Sequence, residues 1–562
     1  MPSRNEESSF SRLPGVQVHR SKFPFKQENK FSGNVGDLIP FLVEEVLPGD
    51  TFNLKLSKLV RLSTSIHPTM DNLYLDTYFF FVPNRLIWDN WQKFMGENDQ
   101  AWAQNTDLFV PPFINIDGGG DSAANARFNP QVGSVLNYLG LPLTYFDNYK
   151  QSKVTILDFN AYCKVFNDWF RDENLQDEVP IYKGDGQLPS AFYSSYALYI
   201  QNTYGLSGSV GFQESNSCLK VARFHDYFTS ALPAPQKGAD VLIPAGGAVL
   251  FDKDAIDSSV QAQWMDPSGN LSTYTGSVYS TAGRVSDNAN NRLFYDPQGT
   301  LKLDGLQITV NNLRLAMQTQ RLLEKDARSG SRYIEIIRGH FGVVSPDARL
   351  QRSEYLGGKR TLLNMSEVVQ TSESTSNSKL GNLAGRSSTA DVEDGFIKSF
   401  VEHGYLIGVC CVRADNTYSQ GIPRRYFRFN RLEYYFPVLA NIGEQPIYNK
   451  EIYLPKSSET KSPDDVFGYQ EPWAEYRYKQ NRTAGYFTPG ITGTLDSWHY
   501  AADYSSTPSL SSSWLKQGTA EVDRTLAAGS AVTHQLLFDF YTYGSMVRPM
   551  PVHSIPGLVD HH

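Results

Sequence analysis

The sequence predicts an all-β, loop-rich protein, and three features carry that expectation. Aromatic residues make up 13% of the chain, with 32 Tyr and 33 Phe, and such side chains suit pleated, half-buried surfaces. The 43 Gly and 30 Pro punctuate turns. Period-two alternation stands near both ends of the chain while irregular segments fill the middle, so pairing strands would be far apart in sequence and bridged by long loops. That arrangement fits a Greek-key sandwich such as the jelly roll. At 562 residues the chain exceeds the size at which one core stops growing. The choices are two or three domains, or one β core with long insertions, and no Pro/Ser linker or charge run separates domains.

Taken in order, residues 1–30 mix basic, polar and scattered aromatic groups and read as an extended N-terminal arm. A first part of the β core with inserted helices is expected over 31–238. Within it, Phe52, Leu54 and Leu56 alternate with Asn53, Lys55 and Ser57 after the turn Pro48-Gly49-Asp50, a half-buried strand. Leu73 to Val82 is apolar on both faces, as expected of a strand between layers or under a subunit contact. Asn84 can cap a short helix carrying Ile87, Trp88, Trp91 and Phe94 and stopped by Gly96. Asp158 can cap another, with Tyr162, Val165, Phe166, Trp169 and Phe170 as one wide stripe. Both stripes read as packing faces.

Residues 239–304 hold eight Asp against two Lys and two Arg, with abundant Gly, Ser, Asn and Tyr. Such a composition suits an exposed insertion with adaptable polar contacts and rigid aromatic anchors; Trp264, Tyr274 and Tyr279 are its candidate contact residues. The rest of the core follows over 305–548. It begins with a helix from about Asn311 to Arg328, with Leu313, Met317, Gln320 and Glu324 on one face and Gly330 as its stop. Residues 321–360 carry nine basic and five acidic groups inside a chain of net charge −8. Their alternation suggests ion-paired contacts more than a phosphate track. Strands are expected at Tyr405–Val412, Tyr426–Phe436 and His534–Tyr543. Residues 549–562 form a proline-spaced, pre-extended tail (Pro549, Pro551, Pro556) that loses little entropy on lying against a neighbour. Deleting 549–562 is therefore expected to impair contacts with a neighbouring chain more than solubility, read by sedimentation of the truncated chain.

The search for chemistry yields no catalytic, cofactor or metal residue. Gly357-Gly358-Lys359 fails as a phosphate loop, because Ser353 stands at the first glycine and Arg360 where Ser or Thr is needed. The adjacent acids Glu44-Glu45 and Asp464-Asp465 read as loop or strand-edge charges, and the terminal pair His561–His562 as exposed or packed. Cys163, Cys218, Cys410 and Cys411 are the only cysteines. Neighbouring strand residues face opposite ways, so the pair reads as buried thiols, which suit a chain made in a cytoplasm. The polar first twenty residues lack a signal-peptide core, and no apolar run reaches the roughly 18 residues of a membrane span. For nucleic acid, Arg424, Arg425, Arg428 and Arg431 interleave with Tyr426, Phe427, Phe429, Tyr434 and Tyr435, supplying cations for phosphates and faces for bases. A sandwich strand with packed aromatics and salt-bridged arginines would look the same. Arg4 and Arg12 in the arm are a second candidate.

Long ordered strings then identify a family. EEVLPGDTFNL (Glu44–Leu54), MDNLYLDTYFFFVPNRLIWDNW (Met70–Trp91), HDYFTSALPAPQKG (His225–Gly238), residues 321–360, FVEHGYLIGV (Phe400–Val409), FGYQEPWAEYRY (Phe467–Tyr478) and PMPVHSIPGLVDHH (Pro549–His562) resemble the major capsid protein of the microviruses, in their gokushovirus branch. Residues 239–304 are the main departure from that wording. The resemblance implies an eight-stranded antiparallel jelly roll of viral capsid type, with long inter-strand insertions carrying a few short helices. It also implies a T=1 icosahedral phage shell of identical copies around circular single-stranded DNA. Further partners would be a small basic DNA-packaging protein, a minor pilot protein and a bacterial surface receptor, the last met by a threefold protrusion built from 239–304. The virion would be the chain's location and the host cytoplasm its place of assembly. From the Tyr, Trp and Gly content alone, a β-rich carbohydrate-binding or carbohydrate-active protein is the alternative.

Overall fold

The computed structural model describes residues 18–97, 109–116, 132–143, 152–204, 217–239, 310–330, 332–347, 351–369 and 383–553. It also describes the strands between 246 and 307 and positions 130, 241, 349, 371 and 381. Two compact units result: residues up to Pro235 together with those from Ser329 onward, and Gln236–Arg328.

The larger unit is built on eight long strands: β1 (Ser21–Gly33), β2 (Ile39–Val46), β3 (Thr51–Leu62), β4 (Leu73–Pro83), β5 (Glu354–Leu362), β6 (Thr389–Ser399), β7 (Gly404–Ala414) and β8 (Leu536–Arg548). They form two four-stranded antiparallel sheets, ordered β1-β8-β3-β6 and β5-β4-β7-β2. Aromatic rings bridge the sheets, Phe41 against Phe540 with centroids 5.0 Å apart and Phe79 against Phe396 at 5.2 Å. Their shared core is one cluster of buried apolar side chains.

Local sequence explains most of this. β3 alternates as expected, with Phe52, Leu54 and Leu56 buried and Asn53 and Lys55 exposed. The same alternation carries Lys58 inward, where it is 2% exposed. β4 is apolar on both faces because it lies between layers: Phe79 faces the opposite sheet, while Phe80 and Tyr78 meet Trp169 and Phe170 at 5.5 and 5.3 Å. β7 is buried along nearly its whole length, and all four cysteines are buried free thiols.

Several elements differ from expectation. Residues 21–30, read as arm, belong to β1, where Lys22, Lys26 and Lys30 face out opposite β8. The Asn84 helix is split into a 3-10 turn, Asn84–Leu86, and one turn, Trp91–Phe94, and Asn84 makes no cap bond. The cause is Trp88, fully buried with its indole N–H on Asp185 at 2.7 Å, a carboxylate that also takes Asn90. Gly96 does end the turn, at φ 104°.

The second expected helix is α1 (Leu157–Val165), continued by a wide turn through Phe170. Asp158 sits inside its first turn, accepting from Phe159 N at 2.8 Å, so it is not the cap. A further helix, α2 (Ser190–Tyr204), was not expected. Tyr193, Tyr196, Tyr199 and Ile200 bury one face of it, but its Ser and Tyr content disguises the period.

Burial pushes the Asp158 carboxyl up to about 6, and nearby Glu45 adds to the rise. The folded chain therefore holds more protons than the unfolded one between about pH 4 and 6, and stability falls as pH rises through that window. Asp158→Asn is expected to raise the melting temperature at pH 7 and to leave it unchanged near pH 4, an effect on the order of 2 kcal/mol. Thermal melts across pH 4–8 check it.

The smaller unit pairs Gly246–Phe251 with Leu301–Gln307 and Tyr279–Thr281 with Arg284–Ser286, and sets Gln263–Met265 between Leu271–Thr273 and Phe294–Tyr295. It then runs into α3 (Val310–Ser329), which Gly330 terminates at φ 99°. The expected face of α3 is open at Leu313 and Met317. Trp264 and Tyr279 lie on these strands; Tyr274 is outside the described residues.

Candidate nucleic-acid and assembly surface

A satellite core lies beside the sandwich, made by Tyr227, Phe228, Tyr418, Ile447, Ile452 and Phe467 with neighbours. Residues 423–445 cover it, and here the expected strand Tyr426–Phe436 is absent. The segment is a chain of 3-10 turns, Arg424–Phe427, Arg431–Glu433 and Pro437–Leu439. Pro423 and Pro437 set the first and last turns, since proline fixes φ and offers no N–H to a sheet. Glu433 accepts from the Asn430 N–H at 2.9 Å and closes the middle one.

The four arginines, alike in sequence, divide into two pairs. Arg424 donates to Pro446 O at 2.7 Å and pairs with the buried Glu451 at 3.0 Å, a carboxylate that also takes the Tyr227 hydroxyl. Burial raises Glu451 even so, because the Arg424 charge only partly offsets desolvation. Arg428 pairs with Glu475, donates to Tyr476 Oη at 2.7 Å and lies over that ring at 4.4 Å. These two hold the segment to the satellite core.

Arg425 and Arg431 are exposed and form no ion pair among the described residues. Arg425 lies over Tyr426 at 4.8 Å and donates to its hydroxyl, which lowers that phenol's pKa. Arg431 stands 5.3 Å from the Phe436 ring. Each offers a cation beside an aromatic face, as unpaired nucleic acid requires. Arg4 and Arg12 lie outside the described residues.

Sequence reasoning missed the exposed apolar side chains of the same segment. Phe429 is 86% exposed and Val438 92%, with Leu432 and Ile442 also open. Phe429, Leu432 and Ile442, together with Phe427 and Trp473, wall a groove of about 540 Å³. Contiguous exposed apolar surface of this kind marks a contact with another macromolecule. Its signal was the apolar stretch Pro437-Val438-Leu439 after an aromatic run, which a buried strand would also show.

Four of the nine basic residues in 321–360 form ion pairs of the kind its alternation suggested. Arg332 pairs with Glu173 and Glu335, Arg352 with Asp347, Lys359 with Asp391 and Arg360 with Asp76. Gly357 and Gly358 lie in β5, paired to Phe79 and Tyr78.

Arg425→Ala/Arg431→Ala is expected to weaken binding of a single-stranded oligonucleotide about tenfold at low salt and to flatten its salt dependence by about two ions. The melting temperature should stay unchanged, whereas Arg424→Ala/Arg428→Ala should lower it. Fluorescence titration and thermal melts separate the two pairs.

The family model described as capsid protein (F protein) matches residues 11–558. The chain is 37% identical to capsid protein VP1 of Chlamydia phage 1, over 98% of both chains. It is 37% identical to capsid protein VP1 of Bdellovibrio phage phiMH2K, over 99% of this chain and 98% of that one. Against capsid protein VP1 of Spiroplasma virus 4 it is 36% identical, over 98% of this chain and 97% of the relative.

Proposed function

This chain belongs to the capsid protein (F protein) family, and from that premise we infer the particle it builds. It is a phage capsid protein of the microvirus kind, and its work is structural. Copies assemble with one another, and its place is the virion. One observation carries this: the likeness to capsid proteins runs end to end, not through a single motif. The carbohydrate-active alternative has no comparable support.

The finer reading is ours. The wall element is an eight-stranded jelly roll, supported by two four-stranded sheets between which strands far apart in sequence alternate. Identical copies close a T=1 icosahedral shell, since a repeated asymmetric unit reaches closure through point-group symmetry. The shell encloses circular single-stranded DNA, with Arg425 and Arg431 as contacts. Arg424 and Arg428, assigned to the same role from sequence, instead hold that surface in place. A net charge of −8 suits a division of labour in which a small basic protein neutralises the packaged DNA, with a minor pilot protein completing the particle. The Gln236–Arg328 unit is the part used in host attachment, through Trp264, Tyr274 and Tyr279. Its acidic, Tyr-rich composition and its compactness support that role. Assembly takes place in the host cytoplasm; among the described residues no helix is long and apolar enough to cross a membrane.

Expression of the chain with its phage partners, followed by sedimentation and negative-stain microscopy, tests the reading. Uniform small spheres are expected. Persistent monomers under every assembly condition would refute it.

A further inference from the structure

Between the two sheets lies a charged cluster that assembly does not explain. Lys58 on β3 is 2% exposed and Asp394 on β6 is 3% exposed. Lys58 Nζ stands 3.2 Å from Asp394 Oδ2, 3.5 Å from Asp391 Oδ2 and 3.0 Å from Thr77 Oγ1 on β4. Thr77 in turn donates to Asp394. On β5, Lys359 and Thr361 hold Asp391 at 2.7 and 2.6 Å.

Residues three apart on a regular strand point to opposite faces. Here both aspartates reach one lysine because β6 carries a bulge against β3 between Asp391 and Asp394. Inside it Glu393 adopts φ 82°, a left-handed conformation that costs a non-glycine residue on the order of 1 kcal/mol. A bulge that re-aims a side chain at such a cost is a feature of sites more than of plain sheet.

We propose that Lys58 and Asp394 condense to an intramolecular amide, with Asp391 as the proton carrier. A proton passes from the ammonium to the Asp394 carboxylate, leaving an amine and a carboxylic acid 3.2 Å apart. The Nζ lone pair attacks Cγ, Asp391 takes a proton from nitrogen as the C–N bond forms, and it returns that proton to the departing hydroxyl. One water leaves, one amide joins β3 to β6, and Asp391 ends as the carboxylate it began. Burial alone would raise Asp391, but Lys359 and Thr361 outweigh it and keep its carboxyl below the ordinary range, as a proton carrier that must start ionised requires. Rigid strands that hold Nζ within hydrogen-bond distance of the Asp394 carboxyl lower the entropic part of the barrier.

Intact-mass measurement of the chain from denatured particles decides the matter. The expected mass is one water below that of the sequence, after any loss of the first methionine. Proteolysis should yield a branched peptide joining Lys58 to Asp394. Asp391→Asn should restore the full mass; if that variant fails to fold, the wild-type measurement stands alone. A full wild-type mass would overturn the proposal. So would a missing water traced to a cyclic imide at Asp394-Gly395, which opens in mild base where the amide persists.

Discussion

Replacing Asp76 with alanine is expected to lower the stability of the subunit by about 3–5 kcal/mol. Asp76 is 2% exposed and receives Arg360 through two bonds of 2.7 and 3.0 Å, with Arg413 on its other side. Both guanidiniums flank one ring, Phe224, at 4.5 and 4.3 Å. Both also bond the same oxygen, Asp76 Oδ2, so without the carboxylate two cations are left converging on one site with no anion between them. Arg360 is half exposed and can turn to water, whereas Arg413 is largely buried, so the penalty falls on Arg413. Combining Asp76→Ala with Arg413→Met should recover most of the loss, because an apolar replacement of a buried pair is often neutral. Urea unfolding of the three chains measures it; equal loss in the single and double variants would mean that the charge is not the cause.

Particle formation should fail when Phe429, Leu432 and Val438 are changed together to serine, while the subunit's melting temperature stays within about 1 °C. Fully burying an apolar side chain of this size stabilises a contact by about 1.5–3 kcal/mol. Three such side chains, repeated in every subunit of a closed shell, exceed what weak subunit contacts can spare. Because all three are open in the lone subunit, the same changes cost its fold little. Sedimentation distinguishes shells from subunits, and normal shells from the triple variant would remove these side chains from the assembly surface.

The parts legible in sequence were those governed by neighbours along the chain. Alternation over Phe52, Leu54 and Leu56 gave the inner face of β3, and Leu73–Val82 announced a strand with two buried faces. Gly330 marked where α3 stops. The mixed charges of 321–360 pointed to ion pairing, and Arg332, Arg352, Lys359 and Arg360 are paired. Misreadings arose where a distant partner decided. Tyr426–Phe436 looked like a strand, but Glu451 and Glu475, tens of residues away, draw Arg424 and Arg428 down while bracketing prolines fold the backbone into turns. The Asn84 helix broke because Asp185 captures Trp88 and Asn90.

Membership of the capsid family and the β-rich class were determined by the sequence by itself, because ordered strings and side-chain periods need no partner to be read. Tertiary structure alone decided which charges are spent and which remain available. It turned four equivalent arginines into two anchors and two open cations, and it carried an ordinary strand lysine, Lys58, between two aspartates. The reason is desolvation: whether a charge is solvated, paired or reactive depends on what the opposite sheet places within a few ångströms, and no local pattern encodes that.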